Sequence, residues 1–127
     1  MSMSPDSAQS RVQIGRSAKS HLRLGMGGSF YGLDHGSGQG EADILAAMAT
    51  ALDCGITHFD TATGYGGGYS ERLIGRFLVA DPSRRERIFL SSKFSSDDLR
   101  AQTMIAAVDA SRSRLQTDVI DLYYIHW

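Results

Sequence analysis

Short apolar runs alternate along the chain with longer stretches in which apolar residues recur at helical spacing. The strand-like runs cover residues 11–14, 22–26, 56–60, 88–92 and 119–125. Helical spacing covers Glu41–Asp53, residues 70 to about 79 and roughly residues 100–115. The first two runs flank the polar stretch 15–20, which indicates a β-hairpin. The pattern therefore predicts a hairpin followed by the order β-α-β-α-β-α-β.

Side chains that can cap helices mark where the second and third helices begin. Ser70 suits the N-cap of the second helix, and Ser95, Ser96 and Asp97 offer caps for the third. Glu71 would then stand in the first turn of the second helix, where a negative charge is favourable to the helix dipole. We assign Glu71 no catalytic role.

Strands and helices that alternate through crossover-length connections predict a parallel sheet covered on both faces. Two architectures fit this order. One is a small open sheet of the flavodoxin-like kind, and the other is the N-terminal half of an eight-stranded (β/α) barrel, which needs about 250 residues when complete. The periodicity does not separate them. The polar residues 1–10 are expected to form a disordered tail, which leaves residues 11–127 as one domain.

Composition indicates the compartment and the possible partners of the protein, but says little about its chemistry. The formal net charge of −1 gives no electrostatic reason to expect nucleic acid or a membrane surface as a partner. The single cysteine, Cys54, fits a reducing compartment and is expected to be a small buried residue. No apolar run approaches the ~18 residues of a membrane span, so a cytoplasmic location is expected. Arg84, Arg85 and Arg87 are expected to lie in a solvated loop.

Four side chains able to carry protons stand at or just beyond the ends of strand-like runs. Asp60 ends the run 56–60, Lys93 and His126 directly follow the runs 88–92 and 119–125, and Tyr65 follows Asp60 in a glycine-rich stretch. Asp60, Lys93 and His126 are equally spaced, 33 residues apart. The spacing matches one strand–helix–strand unit, and equivalent strand ends of a parallel sheet meet at one rim. We therefore expect an acid, a phenol, an amine and an imidazole to share one site.

These four groups suit protonation of a carbonyl oxygen. Lys93 at a buried strand end needs a counter-ion, for which Asp60 is the neighbour. A cation beside Tyr65 favours the phenolate and makes the phenol a usable proton donor. His126 can donate a hydrogen bond to a substrate oxygen. The four histidines form no metal cluster in the sequence, no nucleophile is evident, and a nicotinamide hydride would complete the chemistry.

The same residues resemble the aldo-keto reductase family. The run GITHFDTATGYGGGYSERLIG (residues 55–75) is similar to the signature of the bacterial branch, with Asp60 and Tyr65 at the family spacing. Lys93 in FLSSKF and His126 in DLYYIHW are similar to the family's strand-end lysine and strand-four histidine. The run LRLGMGGSF resembles the first barrel strand. The resemblance implies a (β/α)8 TIM barrel with an N-terminal β-hairpin at its bottom.

The resemblance also implies an activity and its residues. It implies that NADPH delivers hydride to an aldehyde or ketone, with Tyr65 as general acid assisted by Lys93 and Asp60, and with His126 positioning the carbonyl. The nicotinamide would be approached by a set of residues at two strand ends: Gly27, Gly28, Ser29 and Asp60.

The resemblance covers residues 11–127, or strands one to four and helices one to three of the barrel. We therefore expect an N-terminal half barrel, truncated after strand four. The family holds the phosphates and adenine of NADPH with loops after later strands, so most of the cofactor site would lie outside this half. An alternative is a non-catalytic half barrel that associates with itself or with a complementary half. A third reading is an independent flavodoxin-like domain that binds a nucleotide, although no phosphate-binding loop is evident.

Overall fold

A computed structural model describes residues 11–31, 40–95 and 97–127. The predicted tail 1–10 lies outside the described residues. Two short strands, β1 (Arg11–Gln13) and β2 (Ser20–Leu22), pair antiparallel as a hairpin. Four further strands form a parallel sheet in chain order: β3 (Gly25–Gly27), β4 (His58–Asp60), β5 (Phe89–Ser95) and β6 (Leu122–His126).

In the described part of the chain, three helices follow the strands of the sheet in the predicted alternation, and one further short helix was not predicted. The helices are α1 (Glu41–Asp53), α2 (Tyr69–Ala80), α3 (Ser83–Arg87), which is the short one, and α4 (Ala101–Leu115). Chain-order neighbours in the sheet with a helix in each crossover are the arrangement of a half barrel, and the hairpin accompanies it. The predicted fold class is confirmed, and the prediction of α1 agrees with the structure at both ends.

The prediction of one hairpin strand over residues 22–26 is wrong, because two elements share that run. Leu22 pairs with Arg11 in the hairpin, whereas Gly25 pairs with His58 in the parallel sheet. The chain therefore bends between the two pairings. A Cβ atom on Gly25 would stand 3.2 Å from the backbone oxygen of His58, so the close approach of β3 to β4 favours glycine there.

The predicted cap of α2 is also wrong. Gly68 occupies the N-cap with φ 84°, a left-handed conformation that favours glycine, and its neighbours Gly66 and Gly67 are left-handed as well. The Ser70 hydroxyl is buried instead and lies 2.7 Å from Thr61 Oγ1. Ser70 thus joins the helix to the end of β4 through a side-chain hydrogen bond.

The start of α4 uses a residue other than the predicted ones. Arg100 holds the N-cap position, and the Asp98 carboxylate accepts hydrogen bonds from the Arg100 backbone N–H and from Thr103 Oγ1. Asp97 accepts a hydrogen bond from Ser95 Oγ rather than capping the helix. Ser96 lies outside the described residues.

The hydrophobic core lies between the sheet and helices α1 and α2. Its buried side chains are Tyr31, Met48, Leu52, Phe59, Leu73, Ile74, Phe77, Leu78, Ile88, Leu90 and Leu115. Phe59 and Phe77 stack with their ring centroids 6.0 Å apart. Gly75 lets α2 approach the end of α4, since a Cβ atom there would lie 2.5 Å from the Arg114 carbonyl oxygen.

The prediction that Cys54 is buried is wrong. The buried residues of α1 are Met48 and Leu52, and Cys54 follows Leu52 by two positions at the C-cap. Two residues turn a helix by roughly 200°, so Cys54 points away from the core and is exposed.

The arginine-rich segment is not a solvated loop, because it forms α3 and is tied to the sheet. Arg85 donates to Asp121 Oδ2 at 2.7 Å, and Lys19 from the hairpin donates to Asp121 Oδ1 at 2.9 Å. Burial raises the pKa of Asp121, but the N–H of Leu90 and the two cations together hold it below its ordinary value. This cluster joins the hairpin to the N-terminal ends of β5 and β6.

None of the helices in the described ranges is long and apolar enough to span a bilayer.

Candidate active site

The predicted proton-transfer residues meet at the C-terminal rim of the parallel sheet. Asp60 ends β4 and His126 ends β6, while Lys93 lies near the end of β5. The register pairs Asp60 with Ser91, two residues before Lys93, so both charged side chains project from the same face of the sheet. Tyr65 reaches this face from the loop that joins β4 to α2.

The Lys93 ammonium contacts three oxygen atoms of the site. It donates to Asp60 Oδ2 at 2.5 Å and to the Thr61 carbonyl oxygen at 2.8 Å. The same nitrogen lies 3.3 Å from the Tyr65 hydroxyl. The Lys93 side chain is 16% exposed, so most of its hydration is replaced by these oxygens. A largely desolvated ammonium held between a carboxylate and a phenol is an arrangement that stabilises negative charge on the phenol.

His126 faces Tyr65 across the mouth of the site. The two rings meet edge to face with centroids 5.7 Å apart. His126 Nε2 is buried and has no hydrogen-bond partner among the described residues. Because buried polar atoms are normally paired, this nitrogen is a candidate to bind a ligand oxygen. The structure thus brings together all four residues that the sequence singled out.

A tight turn returns the chain from Tyr65 to α2. Tyr65 N–H donates to the Ala62 carbonyl oxygen at 3.1 Å, and Thr63 N–H donates to the Lys93 carbonyl oxygen at 2.9 Å. The left-handed glycines that follow, Gly66 to Gly68, then reverse the chain direction. The turn anchors Tyr65 to β5, the strand that carries Lys93.

The residues expected near a nicotinamide differ in how exposed they are and in how much open space surrounds them. Gly27 pairs with Asp60 in the sheet, is exposed and has open space where a Cβ atom would stand, so a flat ring can approach it. Gly28 is buried, donates its N–H to the Asp60 carbonyl oxygen at 2.8 Å, and would place a Cβ atom 2.5 Å from Ser70 Oγ. Ser29 is half-buried. Gly27 and Asp60 therefore fit a nicotinamide surface, and Gly28 has a packing role.

Sequence reasoning missed an ion pair behind the site. Glu71 is fully buried and accepts hydrogen bonds from Arg114 Nε at 2.5 Å and from Ser92 Oγ at 2.6 Å. The pair links α2, α4 and β5. The available signal was that Glu71 lies on the same side of α2 as the buried Ile74 and Leu78, three and seven positions later.

Sequence reasoning also missed the polar residues Ser91 and His58. Ser91 contacts Asp60 directly, and His58 contacts Ser91. Their period-two spacing from Lys93 and Asp60 was the signal, because it puts all four side chains on one sheet face. Within the described ranges, no group of three or more His, Cys, Asp or Glu residues could hold a metal ion.

Comparison with known proteins gives consistent relatives. The model of the Aldo/keto reductase family matches residues 23–127. Aldo-keto reductase YhdN of Bacillus subtilis is 34% identical over 113 residues, which cover 83% of this chain and 34% of the relative. Methylglyoxal reductase YeaE of Escherichia coli is 39% identical over 83 residues, which cover 65% of this chain and 28% of the relative. The chain thus spans about a third of the length of these curated relatives.

Solved structures agree with the sequence relatives. A crystal structure of an aldo/keto reductase from Klebsiella pneumoniae in complex with NADP and acetate superposes with a TM-score of 0.74 at 30% sequence identity. The superposition covers 85% of this chain and 36% of that chain. The strand and helix arrangement described above is therefore similar to one part of that larger molecule.

Proposed function

Because the chain belongs to the aldo/keto reductase family, we propose that it carries the proton-transfer machinery of an NADPH-dependent reductase that converts an aldehyde or ketone to an alcohol. The observation that supports this most is the position of the Lys93 ammonium, which contacts both Asp60 Oδ2 and the Tyr65 hydroxyl. His126, whose Nε2 has no hydrogen-bond partner among the described residues and whose ring meets Tyr65 edge to face, is proposed as a second donor.

The proposed reaction moves one proton from Tyr65 to the carbonyl oxygen as that oxygen gains negative charge. Lys93 stabilises the phenolate that remains, and Asp60 holds the ammonium in place. His126 Nε2 donates a hydrogen bond to the same carbonyl oxygen and so orients the carbonyl carbon. A nicotinamide cofactor held at Gly27 and Asp60 would supply the hydride for this carbon. Solvent then reprotonates Tyr65.

The cofactor surface within this chain is small. Gly27 and Asp60 would contact the nicotinamide, with Ser29 at the border of the same surface. The family resemblance puts the phosphate and adenine contacts in loops of later strands, so we expect the 127-residue chain by itself to bind NADPH weakly or not at all. Binding with micromolar affinity would contradict this placement of the cofactor.

The test uses a chimera in which residues 1–127 are continued by the C-terminal part of YhdN. The assay follows NADPH absorbance with methylglyoxal, chosen because YeaE is a methylglyoxal reductase. Tyr65→Phe should slow turnover by about a hundredfold or more, the usual contribution of a general acid, without weakening NADPH binding. Tyr69→Phe is the matched control, because the Tyr69 hydroxyl donates to Glu41 of α1 and not to the Asp60–Lys93 group.

Three outcomes decide the proposal. An active chimera that loses turnover in Tyr65→Phe and keeps it in Tyr69→Phe supports it. An active chimera in which Tyr65→Phe retains most of its turnover overturns the assignment of Tyr65. A folded chimera that binds NADPH yet reduces neither methylglyoxal nor a panel of simple aldehydes and ketones overturns the reductase assignment.

A second function is favoured by the edges of the sheet. Strands β3 and β6 are the outer strands of the four-stranded sheet, and Ile125 and Trp127 near the end of β6 are exposed. Such edges can pair with another chain. We therefore also propose self-association, or pairing with a complementary half barrel, as a non-catalytic role. Sedimentation should then show a dimer of the 127-residue chain at micromolar concentration, and a monomer at all concentrations would exclude the self-association.

A further inference from the structure

A line of hydrogen bonds leaves the active site at the Asp60 oxygen that does not contact Lys93. Ser91 Oγ donates to Asp60 Oδ1 at 2.6 Å. Beyond it, His58 Nε2 lies 3.0 Å from Ser91 Oγ. Ser91 is fully buried, and His58 is half-buried two residues before Asp60 in β4. Asp60 is thus held at both oxygens, by Lys93 on one side and by the Ser91–His58 pair on the other.

The chemistry of the three groups sets the direction of these bonds. A carboxylate only accepts hydrogen bonds, so the single hydroxyl proton of Ser91 points at Asp60. Ser91 Oγ can then only accept from His58, which requires the His58 proton to be on Nε2. Burial lowers the pKa of His58, with a smaller rise from Asp60 and a smaller fall from Lys93, so the ring is neutral at neutral pH. A neutral ring with its proton on Nε2 is one defined tautomer.

Packing holds the His58 ring in this orientation. Phe89 meets it edge to face with centroids 5.3 Å apart and an interplanar angle of 88°. On another side, His58 Nδ1 lies 3.3 Å from the place where a Cβ atom of Gly25 would stand. The ring is therefore confined by the hairpin-proximal part of the sheet while its Nε2 faces the active-site rim.

We propose that Ser91 and His58 are positioning residues that hold the Asp60 carboxylate so that Oδ2 stays against the Lys93 ammonium. This role rests on the proposed function, because the orientation of Asp60 matters to the reaction through Lys93 and Tyr65. Neither side chain touches the Tyr65 hydroxyl in any hydrogen bond of the described residues, so both act through Asp60.

The experiment is a long-range ¹H–¹⁵N NMR spectrum of the 127-residue protein at neutral pH, in which protonated and unprotonated ring nitrogens give well-separated signals. His58 should be found as the Nε2–H tautomer. Asp60→Asn should reverse it: the amide oxygen faces Lys93, which can only donate, and the amide NH₂ faces Ser91. Ser91 must then accept from Asn and donate to His58 Nε2, which moves the ring proton to Nδ1.

A matched pair of serine variants separates positioning from general packing. Ser91→Ala removes the acceptor of His58 Nε2 and one donor to Asp60, so the tautomer preference and the ¹⁵Nζ signal of Lys93 should both change. Ser92→Ala is the control, because Ser92 is equally buried in β5 but donates to Glu71 on the opposite face. Ser92→Ala should leave both the His58 and the Lys93 signals where they are.

The outcomes are independent of reductase activity. An Nε2–H tautomer that reverses in Asp60→Asn, with a Lys93 signal sensitive only to Ser91→Ala, supports the proposal. An Nδ1–H tautomer in the unaltered protein overturns it, and that result needs no variant to fold. A Lys93 signal that is unchanged in Ser91→Ala also overturns it. A protein that passes this test but fails as a reductase refutes the proposed function alone.

Discussion

The buried ion pair between Glu71 and Arg114 should be the most sensitive polar contact in the fold. Glu71 is fully buried and its partner side chain is 23% exposed, so Arg114→Met leaves a carboxylate inside the protein with Ser92 as its remaining side-chain donor. Removing one partner of a buried pair costs about 3–5 kcal/mol. The variant should therefore lose about 4 kcal/mol of its free energy of unfolding.

The assay is urea unfolding followed by circular dichroism. Unfolding slopes of small proteins are about 1–3 kcal/mol per molar urea, so a loss of about 4 kcal/mol should lower the midpoint by about 2 M at a slope near 2. Arg112→Met is the matched control. Its ion pairs with Asp109 and Asp118 are exposed, with Arg112 at 39% and the Asp109 carboxylate at 64%, and such pairs contribute about 1 kcal/mol or less each.

A second substitution tests the cause of the loss. Adding Glu71→Gln to Arg114→Met removes the uncompensated charge while keeping an acceptor for Ser92. The double variant should recover a large part of the midpoint. The reasoning is refuted if Arg114→Met is as stable as Arg112→Met, or if Glu71→Gln makes the Arg114→Met protein less stable still.

Two further expectations concern the hairpin side and the contact between α2 and α4. Burial lowers the pKa of both His21 and His58, so the unfolded chain binds more protons below about pH 6.5 and the free energy of unfolding should fall as the pH drops through that value. Urea midpoints that are equal at about pH 7.5 and pH 5.5 would contradict this, and His21→Phe should reduce the difference. Gly75→Ala should cost about 1–3 kcal/mol, because the new Cβ atom meets backbone of α4 at 2.5 Å. Gly64→Ala, which meets nothing within 4 Å, should be nearly neutral in the same thermal melts, and equal melting temperatures for the two variants would exclude the steric argument.

Local pattern was sufficient for the order of the sheet strands and for the three longer helices between them, but not for α3. The helical spacing over Glu41–Asp53 gave an element with the observed ends, because an apolar stripe and a following glycine are both local signals. The residues of the candidate site also followed from local pattern: Asp60 and His126 end β4 and β6, and Lys93 lies two residues before the end of β5. Period-two spacing on β4 and β5 would even have put His58 and Ser91 on the same face.

Boundaries failed where a long-range contact set them. The run 22–26 has the pattern of one strand. However, Leu22 pairs with Arg11 in the hairpin and Gly25 pairs with His58 in the parallel sheet. Ser70 is a residue type that often caps helices, but the left-handed Gly68 occupies the N-cap of α2. The Ser70 hydroxyl is hydrogen-bonded to Thr61 instead. The arginines of α3 were predicted to be solvated because the partner of Arg85, Asp121, is distant in sequence.

The sequence by itself determined the alternation of strands and helices, the parallel sheet and the four side chains of the candidate site, because these depend on the spacing of residue types along the chain. Only the tertiary structure decided which atoms meet. The Lys93 ammonium lies between Asp60 and Tyr65, and Glu71 lies in the interior against Arg114, because sheet register and helix packing brought separate segments together. Burial and hydrogen-bond direction depend on that three-dimensional arrangement, and no local pattern encodes them.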